Sequence, residues 1–226
     1  MGKTLALIAL GQTPRSDLAD EFVPLLGFDI DVLQAGLLDG LDDQEIRQLA
    51  PRDPDQAVIT LRADHTAVIV DAQAVAARLA DRVAYVEARG ADLTVVCSTL
   101  EFEPVASRGP IIYPGRLLPR TVEALVPDGR VIVVVPLHRQ ERAARRRWAG
   151  LGERVAVAVH HPFDDNDLGD LAGRCRAAGA TLVVMDSFAY TAEQCRDVAA
   201  ATGLTVLSAR RIVARIVGEL LTPGWH

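Results

Sequence analysis

The chain has 226 residues, a net charge of −6 and 50% hydrophobic residues, enough apolar material for one sizeable α/β unit or two lobes of roughly 100 residues each. Its Lys and Arg residues are dispersed apart from one run, Arg142 to Arg147, which argues against a nucleic-acid partner. The three cysteines, at 97, 175 and 195, are odd in number and lack metal-ligand spacing, so neither a zinc knuckle nor a disulfide framework is expected, and a reducing cytoplasm fits best.

Lys3 followed by Leu5 to Leu10 has the look of a signal peptide, but the run is short and breaks into Gly11-Gln12-Thr13-Pro14-Arg15 without a small-residue cleavage site. It reads as a first buried strand. No apolar stretch approaches the roughly 20 residues of a membrane span. Further strand-like runs lie near 28 to 34, 57 to 62, 66 to 70, 93 to 97, 110 to 113, 131 to 135, 155 to 159, 181 to 185 and 204 to 207. Most are β-branched and unbroken by charge, as expected of strands covered on both faces. Amphipathic helical patterns fall near 15 to 25, 42 to 49, 72 to 89, 115 to 126, 139 to 150, 165 to 178, 191 to 202 and 208 to 221. The alternation predicts an α/β fold with parallel sheets and right-handed crossovers. One exception is 57–71, where Ile59-Thr60-Leu61 and Val68-Ile69-Val70 flank Arg62-Ala63-Asp64-His65 as in a hairpin inserted into the first half. The Arg142 to Arg147 run reads as the solvated face of a helix ending at Trp148.

The turn sequence Val126-Pro127-Asp128-Gly129 divides the chain into lobes 1–127 and 128–226. Arg89-Gly90-Ala91-Asp92 and Ala178-Gly179-Ala180-Thr181 both look like a helix C-cap glycine followed by a strand start. The strands that follow run into Cys97-Ser98-Thr99 and Asp186-Ser187-Phe188, so the chain looks duplicated, with a thiol and a hydroxyl near one cleft. Ligands of open α/β sheets sit beyond the carboxyl ends of the strands, which places these clusters on a common rim with the loops at Gly11 to Arg15 and Pro136 to Arg139. The same rim carries His160-His161, read as solvated loop histidines, while Cys175 and Cys195 fall within helical patterns and read as structural. No glycine-rich phosphate loop is present, so no nucleotide cofactor is implied.

Three segments, Gly11-Gln12-Thr13-Pro14-Arg15-Ser16-Asp17, Gly36-Leu37-Leu38-Asp39-Gly40-Leu41 and Pro114-Gly115-Arg116-Leu117-Leu118-Pro119, resemble the motifs of the AroM family over nearly the whole chain. That family is similar in layout to the aspartate/glutamate racemase superfamily. The resemblance implies two pseudo-symmetric parallel-sheet lobes enclosing a small carboxylate or amino-acid-like ligand between paired strand-end cysteines. Cys97-Ser98-Thr99 is similar to the superfamily's Cys-Asn-Thr. Its Gly-Cys-Thr is met only by Asp186-Ser187-Phe188, with serine where the other cysteine belongs.

A serine hydroxyl is a far weaker acid than a thiol, so symmetric two-thiol racemisation is not expected. One-thiol chemistry is: Cys97 as acid, base or nucleophile, with a thiol pKa lowered by Arg15 or Arg116, and Ser187 or Asp186 as the partner. Arg15 and Arg116 also suit a substrate carboxylate, backbone N–H groups near Ser98 and Thr99 suit an oxyanion, and Gln12, Thr13, Phe188 and Tyr190 complete the predicted ligand contacts. The expected function is a cofactor-independent, metal-free racemase, isomerase or decarboxylase, for which homo-oligomerisation is common. The alternative, which Ser187 keeps open, is a non-catalytic two-lobed metabolite-binding or regulatory protein.

Overall fold

The computed structural model describes residues 2–126, 128–163 and 168–222; Pro127 of the predicted lobe boundary and residues 165–167 of a predicted helix lie outside them. In chain order the first half contains β1 (Thr4–Ala9), α1 (Ser16–Phe22), β2 (Asp31–Gly36), α2 (Asp43–Gln48), β3 (Ala57–Leu61), β4 (Ala67–Asp71), α3 (Ala72–Ala76), α4 (Leu79–Glu87), β5 (Leu93–Cys97), β6 (Ile111–Ile112) and α5 (Pro114–Leu125). The second contains β7 (Val131–Val135), α6 (Glu141–Arg147), β8 (Val155–Val159), α7 (Leu168–Ala178), β9 (Leu182–Met185), α8 (Ala192–Thr202), β10 (Thr205–Ser208) and α9 (Ala209–Leu221).

The two large sheets have the same topology. Strand order is β2-β1-β5-β6 in one and β8-β7-β9-β10 in the other, every pair parallel. The period-2 alternation of each strand assigns its two faces to different cores. Leu5, Leu7, Leu93 and Val95 meet Val131, Val133, Leu182 and Val184, with Val213 and Val217 of α9, in one central cluster. Ala6, Ile8 and Val96 turn outward to α4 and the hairpin, while Ile132, Val134, Val183 and Met185 turn outward to α7 and α8. Strands buried on both faces account for the unbroken apolar runs.

The hairpin at 57–71 is present as antiparallel β3–β4. Several predicted elements differ: the helix expected over 139 to 150 is α-helical only over Glu141–Arg147, and the strand expected over 110 to 113 is Ile111–Ile112. The second strand begins at Asp31, later than the run at 28 to 34. The helix expected over 72 to 89 is split at Ala77-Arg78, where the Arg78 guanidinium reaches Leu37 O at 2.5 Å and both it and Arg82 reach Asp39 O. Among the described residues no helix is long and apolar enough to cross a membrane.

Candidate active site

Beyond the carboxyl ends of the strands lies a cavity of about 300 Å³, lined from both halves of the chain. β5 delivers Cys97, Ser98 and Thr99 to it, and β9 delivers Asp186, Ser187 and Phe188. Arg15, at the start of α1, also lines it and is buried, as are Cys97, Ser98, Thr99, Asp186 and Phe188.

The ladders fix how the two clusters correspond. Leu93 pairs with Leu5 and Cys97 with Ala9, while Leu182 pairs with Val131, Met185 with Val134, and the Asp186 N–H donates to Val134 O. Cys97 therefore corresponds to Asp186 and Ser98 to Ser187, which replaces the expectation that Ser187 stands at the second cysteine position. The serines confirm the register by an identical local bond: Ser98 Oγ accepts from Leu100 N and Ser187 Oγ from Ala189 N, both at 3.1 Å. Both hydroxyls thereby shape loops. Ser98 N–H is spent on Val96 O at 2.7 Å, which leaves Thr99 N–H as the amide of this loop without a partner among the described residues. Across the cleft, Thr99 Oγ1 donates to Asp186 O at 2.9 Å.

Cys97 sits with Leu18, Val135 and Phe188 in the central apolar cluster. Burial pushes its thiol pKa up to about 12, against the opposing pull of the Arg210 and Arg15 charges. The lowered thiol pKa expected from sequence is thus reversed, because desolvation of the thiolate outweighs two guanidinium charges whose field is already answered. Asp17 answers it. Arg15 grips Asp17 through Nε and Nη2 at 2.7 and 2.8 Å, and Arg210 Nη2 reaches the same carboxylate at 3.2 Å while its Nη1 pairs with Glu21 at 3.0 Å. Burial raises the Asp17 pKa, but hydrogen bonds and charge from Arg15 and Arg210 more than offset it, leaving the carboxyl below its ordinary value. Arg15 Nη1 has no protein partner among the described residues.

Asp186 is 2% exposed. Its Oδ2 accepts from Arg147 Nη2 and from Trp148 Nε1, the latter at 2.8 Å, while Oδ1 and Arg147 Nε are buried without a hydrogen-bond partner among the described residues. This corrects the reading of the basic run as wholly solvated. Arg142, Arg145 and Arg146 are exposed, but Arg147 turns inward at the end of α6 and Trp148 is buried. Helical phase is the signal that separates them: Ala144 and Trp148, one turn apart, are the buried stripe. Arg210, unmarked in the sequence reading, is 2% exposed and donates through Nε to Phe188 O at 2.6 Å.

Four predicted ligand contacts are used elsewhere and are absent from the cavity lining. Thr13 donates through N and Oγ1 to Asp39, each at 2.7 Å, and Gln12 spans Leu41 O and Ala63 N. Arg116 reaches Phe102 O at 3.2 Å and Glu103 at 3.4 Å. Tyr190 is buried with its hydroxyl on His160 O at 2.6 Å. His160 itself is buried rather than solvated; burial, with the neighbouring His161, lowers its pKa. The motifs that carry these residues are close-packed: a Cβ on Gly36 would meet Gly11 O at 2.3 Å, and one on Gly115 would meet Leu100 O at 2.3 Å and Thr99 O at 2.6 Å. Cys175 and Cys195 are buried in the outer core of the second sheet. Among the described residues no group of three or more His, Cys, Asp or Glu is placed to hold a metal ion.

The whole arrangement is similar to solved structures of one fold. Allantoin racemase from Klebsiella pneumoniae superposes with a TM-score of 0.60 at 13% identity, covering 99% of this chain and 89% of that one. Arylmalonate decarboxylase gives 0.55 at 15% identity over 99% and 94%. An aspartate racemase homologue from Pyrococcus horikoshii OT3 gives 0.56 at 13% over 98% and 100%. At such identities the likeness establishes the aspartate/glutamate racemase fold. No curated protein matches the sequence. Residues 5–221 match the AroM protein family, and the chain belongs to it.

Proposed function

We propose that this chain is a cofactor-independent enzyme that moves a proton at the carbon next to a small carboxylate, using Cys97 as its single thiol. The observation that carries the reading is the equivalence of Cys97 and Asp186: two proton-carrying side chains reach one cavity from corresponding strand ends, beside a buried Arg15 whose Nη1 has no partner among the described residues. Their resting states are complementary. With its pKa near 12 the thiol holds its proton and is a donor to a developing carbanion, while Asp186 is ion-paired with an unoccupied Oδ1 able to accept one. The Thr99 N–H supports enolate charge. Racemisation or isomerisation uses both groups; decarboxylation needs only the thiol's proton. Three buried free cysteines fit a reducing cytoplasm.

One observation favours the non-catalytic reading. The thiol is desolvated and, among the described residues, its one acceptor is Val95 O at 3.8 Å, with no base in hydrogen-bond contact. Incubation with candidate acids in deuterated water separates the two: deuterium appears at the α-carbon with the wild type and is lost in Cys97→Ala for an enzyme, whereas a binder leaves the carbon-bound hydrogen untouched.

A further inference from the structure

The polar contacts that join the two halves of the chain differ between the back of the cavity and its mouth. At the back, Arg210 of α9 is 2% exposed and pairs with Asp17 at 3.2 Å and with Glu21 at 3.0 Å. Glu21 also accepts from Ala192 N at 3.3 Å, and Arg215 reaches Leu25 O at 3.3 Å. The buried bond from Thr99 to Asp186 O ties the floor. At the mouth, marked by the exposed lining residues Gln73, Glu101 and Arg146, the ion pairs that cross between the halves centre on Asp55. Its Oδ2 lies 3.0 Å from Arg142 Nη1 and 4.0 Å from Arg146 Nη1.

Two stiff pieces of sequence build this link. Pro54 opens a single helical turn, Pro54–Gln56, and Asp53 caps it by accepting from Asp55 N at 2.9 Å. Arg142 and Arg146 stand four residues apart on α6 and so share a face, while Glu141 of the same helix is engaged by His138 and Arg145. Behind Asp55 the hairpin belongs to the first half. Its strands bond to each other and to neither large sheet, but Gln12 N donates to Leu61 O and Ala63 N to Gln12 Oε1, both at 3.1 Å, and Val58 and Val70 pack in the outer cluster of that half. α6 belongs to the second half, pinned through Arg147 and Trp148 to Asp186. Residues 55–61 and α6 are therefore opposing jaws of the cavity, with Cys97, 4% exposed, between them and the floor.

The two sets of contacts differ in how they answer to salt. The Asp55, Arg142 and Arg146 side chains are 26%, 76% and 56% exposed, so their attraction is weak and screened, whereas the Arg210 and Thr99 contacts are shielded from solvent ions. Parting the halves at the mouth breaks the weakest links and keeps the rest. We propose that Asp55 is a salt-releasable clasp: with Arg142 and Arg146 it holds the hairpin against α6 over the mouth, and its opening about the Arg210 and Thr99 contacts admits solutes to Cys97. The clasp belongs to the fold and stands whether or not Cys97 turns a substrate over.

The test follows alkylation of Cys97 by iodoacetamide, an uncharged probe, at constant pH by peptide mass spectrometry, with Cys175 and Cys195 as controls. Raising NaCl from about 0.1 M to about 1 M shortens the screening length from about 10 Å to about 3 Å and is expected to speed labelling of wild-type Cys97 at least threefold. The same salt weakens the pull of Arg15 and Arg210 on the thiol proton, which acts against that result, so acceleration reports access. Asp55→Asn should label at least threefold faster than wild type at the lower salt and respond little to more. Inverting the charges, Asp55→Arg with Arg142→Asp and Arg146→Asp, should restore both slow labelling and the salt response. Labelling of wild-type Cys97 at one rate, or none, across the salt range overturns the proposal, as does a wild-type rate in Asp55→Asn. A folded charge-inverted variant that labels like Asp55→Asn gives Asp55 a role other than pairing and overturns it as well. Cys175 and Cys195 accelerating in step with Cys97 does the same, since the whole protein is then unfolding. The wild-type salt series needs no variant to fold.

Discussion

The hydroxyl of Thr99 donates to the main-chain carbonyl of Asp186 across the cleft, at 2.9 Å and with both residues buried. It ties the loop after β5 to the end of β9 and holds the Cys97 and Asp186 strand ends in mutual register. Thr99→Val keeps the side-chain shape and leaves that carbonyl without its hydroxyl donor. The expected cost is about 1 kcal/mol in urea unfolding, together with weaker ligand binding, because the two walls of the cavity lose their direct link. Unchanged stability in that variant would show the bond to be immaterial.

Asp186 is held by Arg147 and Trp148, and removing one member of a buried ion pair is costlier than removing both. Asp186→Ala leaves the Arg147 charge buried and is expected to lose about 3 kcal/mol of stability. Arg147→Met added to it should recover part of the loss, so the double variant is more stable than the sum of the singles predicts. Additive losses in a denaturation cycle would contradict the pairing.

The sheet strands, the hairpin and the two rim clusters were legible in the sequence because apolar runs, C-cap glycines and a polar break each follow from backbone geometry. Correspondence between the clusters was not. A polar triplet carries no register, and only the pairing of Leu93 with Leu5 and of Leu182 with Val131 matches Cys97 with Asp186. The motif residues misled for a related reason. Gln12, Thr13 and Arg116 are polar and stand in the specific motifs, but a motif does not say whether its side chains serve a ligand or the backbone, and here Asp39, Leu41 and Phe102 take them. Arg147 reads as solvated with the rest of its run, and Arg210 carries no mark at all, because a buried arginine looks like any other until its partner, distant in sequence, is brought beside it.

The Cys97 thiol gives a sign that can be checked. Its folded pKa, about 12, exceeds that of an unfolded cysteine near 8.5, so its contribution to stability is complete below about pH 8.5 and is lost as the pH climbs toward 12. Cys97→Ala should therefore show a shallower alkaline decline than wild type; Cys175, Cys195 and Tyr190, also raised by burial, contribute to the decline that remains. Iodoacetamide should label native Cys97 at pH 8 on the order of a thousandfold more slowly than an exposed thiol. Fast labelling at pH 8 would mean that the guanidinium charges, and not burial, govern this thiol.

Asp17 gives the opposite sign. Its folded pKa is depressed by Arg15 and Arg210 in spite of burial, so the stability it contributes is present above the unfolded carboxyl value near 3.9 and is lost as the pH falls through the lower folded one. Asp17→Asn is expected to be less stable than wild type at pH 7 and to converge with it toward pH 3. A constant gap from pH 7 to pH 3 would place the role of Asp17 outside its charge.

Gly115 connects the third family motif to the site without touching it. α5 lies so close to the loop after Cys97 that a Cβ at 115 would stand 2.3 Å from Leu100 O and 2.6 Å from Thr99 O, and backbone carbonyls cannot swing aside as side-chain tips do. Gly115→Ala must push that loop or the helix by a few tenths of an ångström or more. Overpacking of this kind costs roughly 1–3 kcal/mol, and the displaced residues carry the Thr99 N–H and the Thr99 to Asp186 bond. The variant is expected to remain folded by circular dichroism, to unfold at lower urea concentration, and to lose carboxylate affinity by more than Gly150→Ala, a control with open space around its Cβ position. Equal affinity in the two variants would mean that the motif supports the fold alone and does not set the geometry of the cavity.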